Sequence, residues 1–136
     1  MSEENVEIAR RCFEAWNRDD LDAFLAEIDR EAVWHTAIEG TVEGEDTVYR
    51  GHDGMRQVWK NYRGEVFGRM EASETELLDL GDSVLRLGRL RVTGQASGVE
   101  MESEFAQHVV MRDGLIVSSR DYLSHAEALE AVGLSE

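Results

Sequence analysis

The sequence predicts an α+β fold: three N-terminal helices packed in a curved, mostly antiparallel sheet, with a short helix closing the chain. Three observations carry that expectation. Apolar residues recur at helical spacing through the first half, and from about Arg69 the repeat falls to two. Helices come first and strands after, without the alternation of a parallel α/β chain. No Gly/Ser linker, internal repeat or low-complexity tract breaks the 136 residues, and proline is absent. That length suits one domain, so residues 1–136 are read as one unit able to bury its own core.

Taken in order, Ser2 can cap a first helix whose apolar stripe is Ala9, Cys12, Phe13 and Trp16. Asp19 or Asp20 can cap a second, with Leu21, Phe24, Leu25 and Ile28 on one side. A short strand is expected over 32–37, where Trp34 and Thr36 share a face and His35 takes the other. A Gly-rich polar loop then covers 39–47. The third helix opens at YRGHDG and carries Met55, Val58, Trp59 and Tyr62 at helical spacing. Strands follow over 69–80, 83–93, 98–111 and 115–123, separated by the turn signals GDS, GQASG and RDG. Ser124 and Glu127 form a capping box for the closing helix, and Gly133 is its stop. A sheet curved around helices leaves a cone, and the open end of a cone is a pocket.

Charge narrows the function classes. Fourteen Lys and Arg against 29 Asp and Glu give a net charge of −15. Such a surface repels phosphate backbones and anionic membranes, so neither nucleic acid nor membrane is expected as a partner. The single cysteine, Cys12, cannot form an internal disulfide, and no Cys/His cluster has zinc-site spacing. No apolar run reaches membrane length, and residues 1–20 lack a secretory leader's pattern. The expectation is a cytoplasmic protein with a small hydrophobic molecule as its partner, using no metal and no cofactor.

The last hairpin carries the candidate chemistry. Its turn is either Asp113-Gly114 or Arg112-Asp113-Gly114, and the choice decides which side chains share a face. A three-residue turn pairs Met111 with Leu115 and joins apolar to apolar, so it is the favoured register. Odd positions then face inward: Phe105, Gln107, Val109 and Met111, continuing onto Val117, Ser119 and Asp121. On such a face a carboxyl group has its charged form disfavoured, which makes it useful as an acid or base near neutrality. The competing reading leaves Asp121 at a strand end, capping the closing helix or pairing with Arg120.

Three segments, CFEAWNRDDLDAFLAEI, YRGHDGMRQVW and VVMRDGLIVSSRDYLSHAEAL, resemble the SnoaL-like branch of the nuclear-transport-factor-2-like (cystatin-like) superfamily. That superfamily also holds ketosteroid isomerase and limonene-epoxide hydrolase. The resemblance spans residues 4–134 and implies the cone fold and a homodimer. SnoaL-type cyclases carry a catalytic aspartate seven residues after the hairpin glycine, and here Asp121 follows Gly114 at that spacing. The epoxide hydrolases have an aspartate in a similar context, matched by Arg120-Asp121-Tyr122-Leu123. The cyclase histidine falls at Gln107, which can hydrogen-bond but cannot titrate, while His108 faces the opposite way. The Arg-x-Asp pair of the epoxide hydrolases has no counterpart in Arg89-Leu90-Arg91. The functional positions of ketosteroid isomerase fall at Thr36, Cys12 and Gln107, so that activity is not implied. The resemblance implies a cofactor-free cyclase or isomerase, with Asp121 as acid/base and Gln107 orienting a substrate oxygen. The alternatives are a non-catalytic binder of a hydrophobic metabolite, a dimeric scaffold, or an epoxide-hydrolase-like enzyme.

Trp16, Trp34, Thr36, Tyr49, Trp59, Tyr62, Phe105, Val109 and Ser119 are the candidate substrate-binding residues. The large rings among them could equally fill the core. Cys12 reads as a buried, inert thiol, His52 as a polar helix start and His125 as an exposed residue. Glu100, Glu102 and Glu104 share a strand face and read as solvated rather than metal-binding. Arg86, Arg89 and Arg91 are expected to pair with them across the sheet. The outer face, carrying His108, Val110, Ile116 and Arg120, is too mixed for plain solvent surface and suits a dimer contact.

Overall fold

Helix α1, Ser2–Asn17, lays Ile8, Ala9, Cys12, Phe13 and Trp16 against the inner face of one open sheet. The computed structural model describes residues 2–36, 47–60, 67–94, 98 and 100–134. Among them the other helices are α2 (Leu21–Ala26), α3 (Gly51–Lys60) and α4 (His125–Ala131). The strands are β1 (Ile28–Thr36), β2 (Thr47–Arg50), β3 (Phe67–Asp79), β4 (Ser83–Gly94), β5 (Glu100–Arg112) and β6 (Leu115–Tyr122). Their order is β2-β1-β6-β5-β4-β3, antiparallel throughout except that β1 runs parallel to β6. The first three helices pack inside this open cone. Their apolar stripes meet Trp34, Val84, Val109 and Ile116 from the strands. A smaller cluster of Leu85, Leu87, Ala106 and Ala128 lies on the outer face, under α4.

Several local signals act as the sequence expects. Asp20 caps α2, its Oδ1 accepting the Ala23 N–H at 3.1 Å. Ser124 caps α4, its Oγ accepting the Glu127 N–H at 3.2 Å. At the other end Gly133 takes φ +80, with the Gly133 N–H on Glu130 O and the Leu134 N–H on Leu129 O. That paired geometry is a Schellman stop. The Ser2 side chain, Tyr62 and most of the expected 39–47 loop lie outside the described residues.

Other expectations need correction. β1 starts at Ile28, earlier than the strand expected over 32–37, because α2 stops at Ala26 and Ile28 pairs with Ile116. Ile28 is buried from a strand, not from a helical stripe. Thr47–Arg50 forms an additional strand, β2, paired with Val33–Thr36. His125 is half-buried, its Nε2 donating to Gly88 O at 2.8 Å, so it pins α4 to the outer face. Glu102 pairs with Arg89 at 3.1 Å and Arg91 at 3.7 Å as expected, but Arg86 faces inward.

The hairpin departs from both expected registers. Asp113 and Gly114 have φ 54 and φ 80, making a two-residue turn that pairs Arg112 with Leu115 and Met111 with Ile116. A two-residue turn alone would set Arg120 opposite Gln107. One residue later, however, Val110 pairs with Ser118, leaving Val117 as the extra residue of a bulge. The bulge restores odd-to-odd pairing, so Gln107 faces Asp121 and Val109 faces Ser119. The two-residue turn itself sets Ile116 opposite the inward Met111, in the core and off the outer face where the sequence set it.

α3 opens on Gly51, with φ +68 and room for no side chain: a Cβ there would stand 3.0 Å from Arg30 O. Gly51→Ala should lower stability by about 1–2 kcal/mol, read by urea unfolding. An unchanged midpoint would show that the β1–α3 junction yields freely.

Candidate active site

Asp121 stands on β6 between two strands that each reach it with a donor. From β1 the Trp34 indole Nε1–H donates to Oδ2 at 2.9 Å. From β5 the Gln107 Nε2 donates to Oδ1 at 2.8 Å. Asp121 is 5% exposed and Gln107 8%, so both side chains are held away from bulk solvent. Burial is the largest influence on the carboxyl and drives its pKa from 3.8 up to about 7. The two hydrogen bonds and the field of Arg86 act in the opposite sense and fall short of cancelling it. The outcome is a carboxyl group divided between acid and carboxylate near neutral pH, the condition for donating and accepting protons there.

Arg86 projects from β4 opposite Gln107 and is only 4% exposed. Its guanidinium carbon lies 3.6 Å from the Phe13 ring centroid and 5.7 Å from that of Phe105. Stacking on ring faces is a recognised accommodation for a buried guanidinium. The cue was present in the sequence. Val84, Arg86, Gly88, Leu90 and Val92 alternate with period two, and Arg86 is the one charge on that face. Grouping it with Arg89 and Arg91 by composition concealed this.

These groups border a pocket of about 70 Å³ between α1, α2 and the inner sheet. Of the candidate residues, Trp16, Trp34, Phe105, Gln107, Val109, Ser119 and Asp121 line it. The Ser119 Oγ is buried and has no hydrogen-bond partner among the described residues. Thr36 is buried outside the lining, and Tyr49 packs half-buried at the core's edge. Trp59 sits behind the wall, 5.0 Å from Trp16 and 5.2 Å from Phe24, ring centre to ring centre. Cys12 also borders the space, but burial pushes its thiol up to about 12, which keeps it protonated. His108 lies on the outer face with Nε2 2.9 Å from Ser83 Oγ, its pKa lowered by burial. His52 donates through Nε2 to Ile28 O at 2.8 Å and so ties α3 to β1.

An open cone of six strands with helices inside it is the fold of solved NTF2-like proteins. The chain belongs to the SnoaL-like domain family, whose model matches residues 9–119. Solved structures agree on the fold. An NTF2-like protein of Burkholderia pseudomallei has a TM-score of 0.77 at 22% identity, covering 96% of this chain and 98% of its own. TerC, co-crystallised with polyporic acid, has a TM-score of 0.78 at 20% identity, covering 93% and 96%. A Jannaschia protein assigned to the SnoaL-like polyketide cyclases has a TM-score of 0.74 at 15% identity, covering 98% and 94%. No curated protein matches the sequence.

The raised pKa has a consequence for stability. The folded protein binds the Asp121 proton more tightly than the unfolded chain, so this contribution is complete below about pH 4. It is lost as pH rises through about 7, and amounts to about 4 kcal/mol. Asp121→Asn should therefore gain stability relative to the parent between pH 4.5 and pH 8, measured by urea unfolding at both values. A constant difference would mean that the carboxyl is ionised throughout.

Proposed function

We propose that this protein is a cofactor-independent enzyme of the cyclase or isomerase type, acting on a small hydrophobic carbonyl compound. The observation that supports this is the buried Asp121 carboxyl, held by neutral donors on both oxygens and titrating near pH 7. As a carboxylate it removes a proton from the carbon beside the substrate carbonyl. The C–H electron pair becomes the enolate double bond, and the carbonyl π pair moves onto oxygen. The enolate then attacks a second carbonyl of the same molecule, or takes its proton back at another carbon, with Asp121 returning the proton. Gln107 and Trp34 fix the carboxyl so that its free lone pairs meet the substrate, and Gln107 can turn its amide to suit either protonation state.

Epoxide hydrolysis is less well supported. The arginine that faces the pocket is followed two residues later by Gly88, so that stretch brings no second carboxylate. Simple binding of a hydrophobic metabolite is the second reading, favoured by the co-crystal of TerC with polyporic acid. Either reading fits a cytoplasmic homodimer joined through the outer sheet face. His35, Val110, Ser118 and Arg120 there are half-buried within one chain, and sedimentation at micromolar concentration should show twice 15.4 kDa. No helix among the described residues is long and apolar enough to cross a membrane.

Deuterium exchange at the α-carbon of 2-tetralone, followed by NMR, tests the acid–base role. The exchange rate should rise with pH through about 7, where Asp121 ionises, and then level off. Asp121→Asn should lower it by about 100-fold or more. An Asn variant as fast as the parent would refute the assignment.

A further inference from the structure

Apart from the pocket around Asp121, a second cleft of about 420 Å³ opens where β1, β2 and the start of α3 meet. Arg30, Arg50, Gly51, His52, Asp53 and Arg56 border it, and none of them lines the pocket around Asp121. The chain path explains the grouping. Gly51 passes so close to Arg30 O that a Cβ would stand at 3.0 Å, which sets Arg50 and the first turn of α3 beside Arg30. His52 Nε2 donates to Ile28 O at 2.8 Å and holds that turn against β1.

Most surface arginines of this chain are answered by an acid. Arg10 pairs with Glu7, Arg11 with Glu27, Arg18 with Asp20, and Arg89 and Arg91 with Glu102. At the cleft the described acid is Asp53, and Arg56 takes it at 2.8 Å. Arg30 and Arg50 are exposed, and neither side chain has a hydrogen-bond or ion-pair partner among the described residues. Asp29 and Glu31 flank Arg30 in sequence but do not border the cleft, and Asp29 Oδ1 accepts the Glu31 N–H. A chain with 29 acids against 14 bases thus leaves two guanidiniums unanswered at one concavity.

We propose that this cleft binds a small phosphate monoester, with Arg30 and Arg50 as the two partners of its dianionic head. A guanidinium fork matches the spacing of phosphate oxygens, and two such charges match a head carrying nearly two negative ones at neutral pH. A concavity lined by one sign of charge also concentrates its counter-ion. The volume lies within the range of small-molecule sites and leaves room for the alcohol part of the ester. An extended polyphosphate chain is disfavoured, since it would also meet the acidic surface beyond the cleft. The site does not depend on the role proposed for Asp121.

Calorimetric titration of the full chain with glycerol 3-phosphate, at about pH 7.5 and low salt, tests the proposal. At that pH the monoester is a dianion. It should bind with a Kd below about 1 mM, and about tenfold or more tightly than methyl sulfate, a monoanion. Arg30→Gln and Arg50→Gln should each weaken it about tenfold or more. Both residues are exposed, so the variants should keep the parent fold. Arg112→Gln, an exposed arginine outside the cleft, should leave the affinity unchanged, and so should Asp121→Asn in the cone. No binding at about 5 mM, parent-like affinity in both cleft variants, or an equal loss in Arg112→Gln would overturn the proposal. Methyl sulfate bound as tightly as the monoester would also overturn it. A loss in Asp121→Asn would place the ester in the cone instead. A phosphoserine peptide bound about tenfold more tightly than the ester would overturn the small-molecule assignment and give the cleft to a protein partner.

Discussion

A carboxyl group taken out of water governs the inner face of this protein. Removing Asp121 from solvent is expensive, and the surrounding elements are arranged to offset that cost. β1 comes alongside β6 in parallel so that an indole N–H can reach one oxygen, and β5 delivers an amide to the other. The compensation is incomplete. What remains uncompensated is the raised pKa, so one incomplete balance both weakens the fold at high pH and leaves the group divided between acid and carboxylate near neutrality.

Arg86 belongs to the same balance. It is a second buried charge beside a half-ionised acid, and its field holds the Asp121 pKa down against burial. Its position over the Phe13 ring uses the aromatic face as a partial counter-charge. The acidic surface and the interior differ in sign. A chain with a net charge of −15 encloses a pocket whose described charged groups sum to zero or to plus one.

Much of the architecture was legible in the sequence because it rests on local rules. Helical stripes, the Asp20 and Ser124 caps, the Gly133 stop and the change of period at Arg69 all act through near neighbours. The inward faces of Gln107 and Asp121 were also readable, though through a turn that does not occur. The three-residue turn and the two-residue turn plus bulge give the same face parity, and a bulge at Val117 has no mark in composition. Trp34 was readable as inward-facing but not as a partner of Asp121, because nothing local tells β1 to lie beside β6. Arg86 was legible by period and was missed only because its neighbours Arg89 and Arg91 suggested a surface role. His125 needed a tertiary fact, namely that Gly88 presents its carbonyl where α4 lands.

The Trp34–Asp121 bond joins residues 87 positions apart. During synthesis β1 emerges well before β6, so it must wait for its partner strand. Until the closing strand docks, Trp34 and the aromatic cluster behind it have no mate along that edge. Long-range pairing of this kind is slow to form. The Trp34 edge is therefore completed late in folding, after the helices and hairpins whose contacts are local.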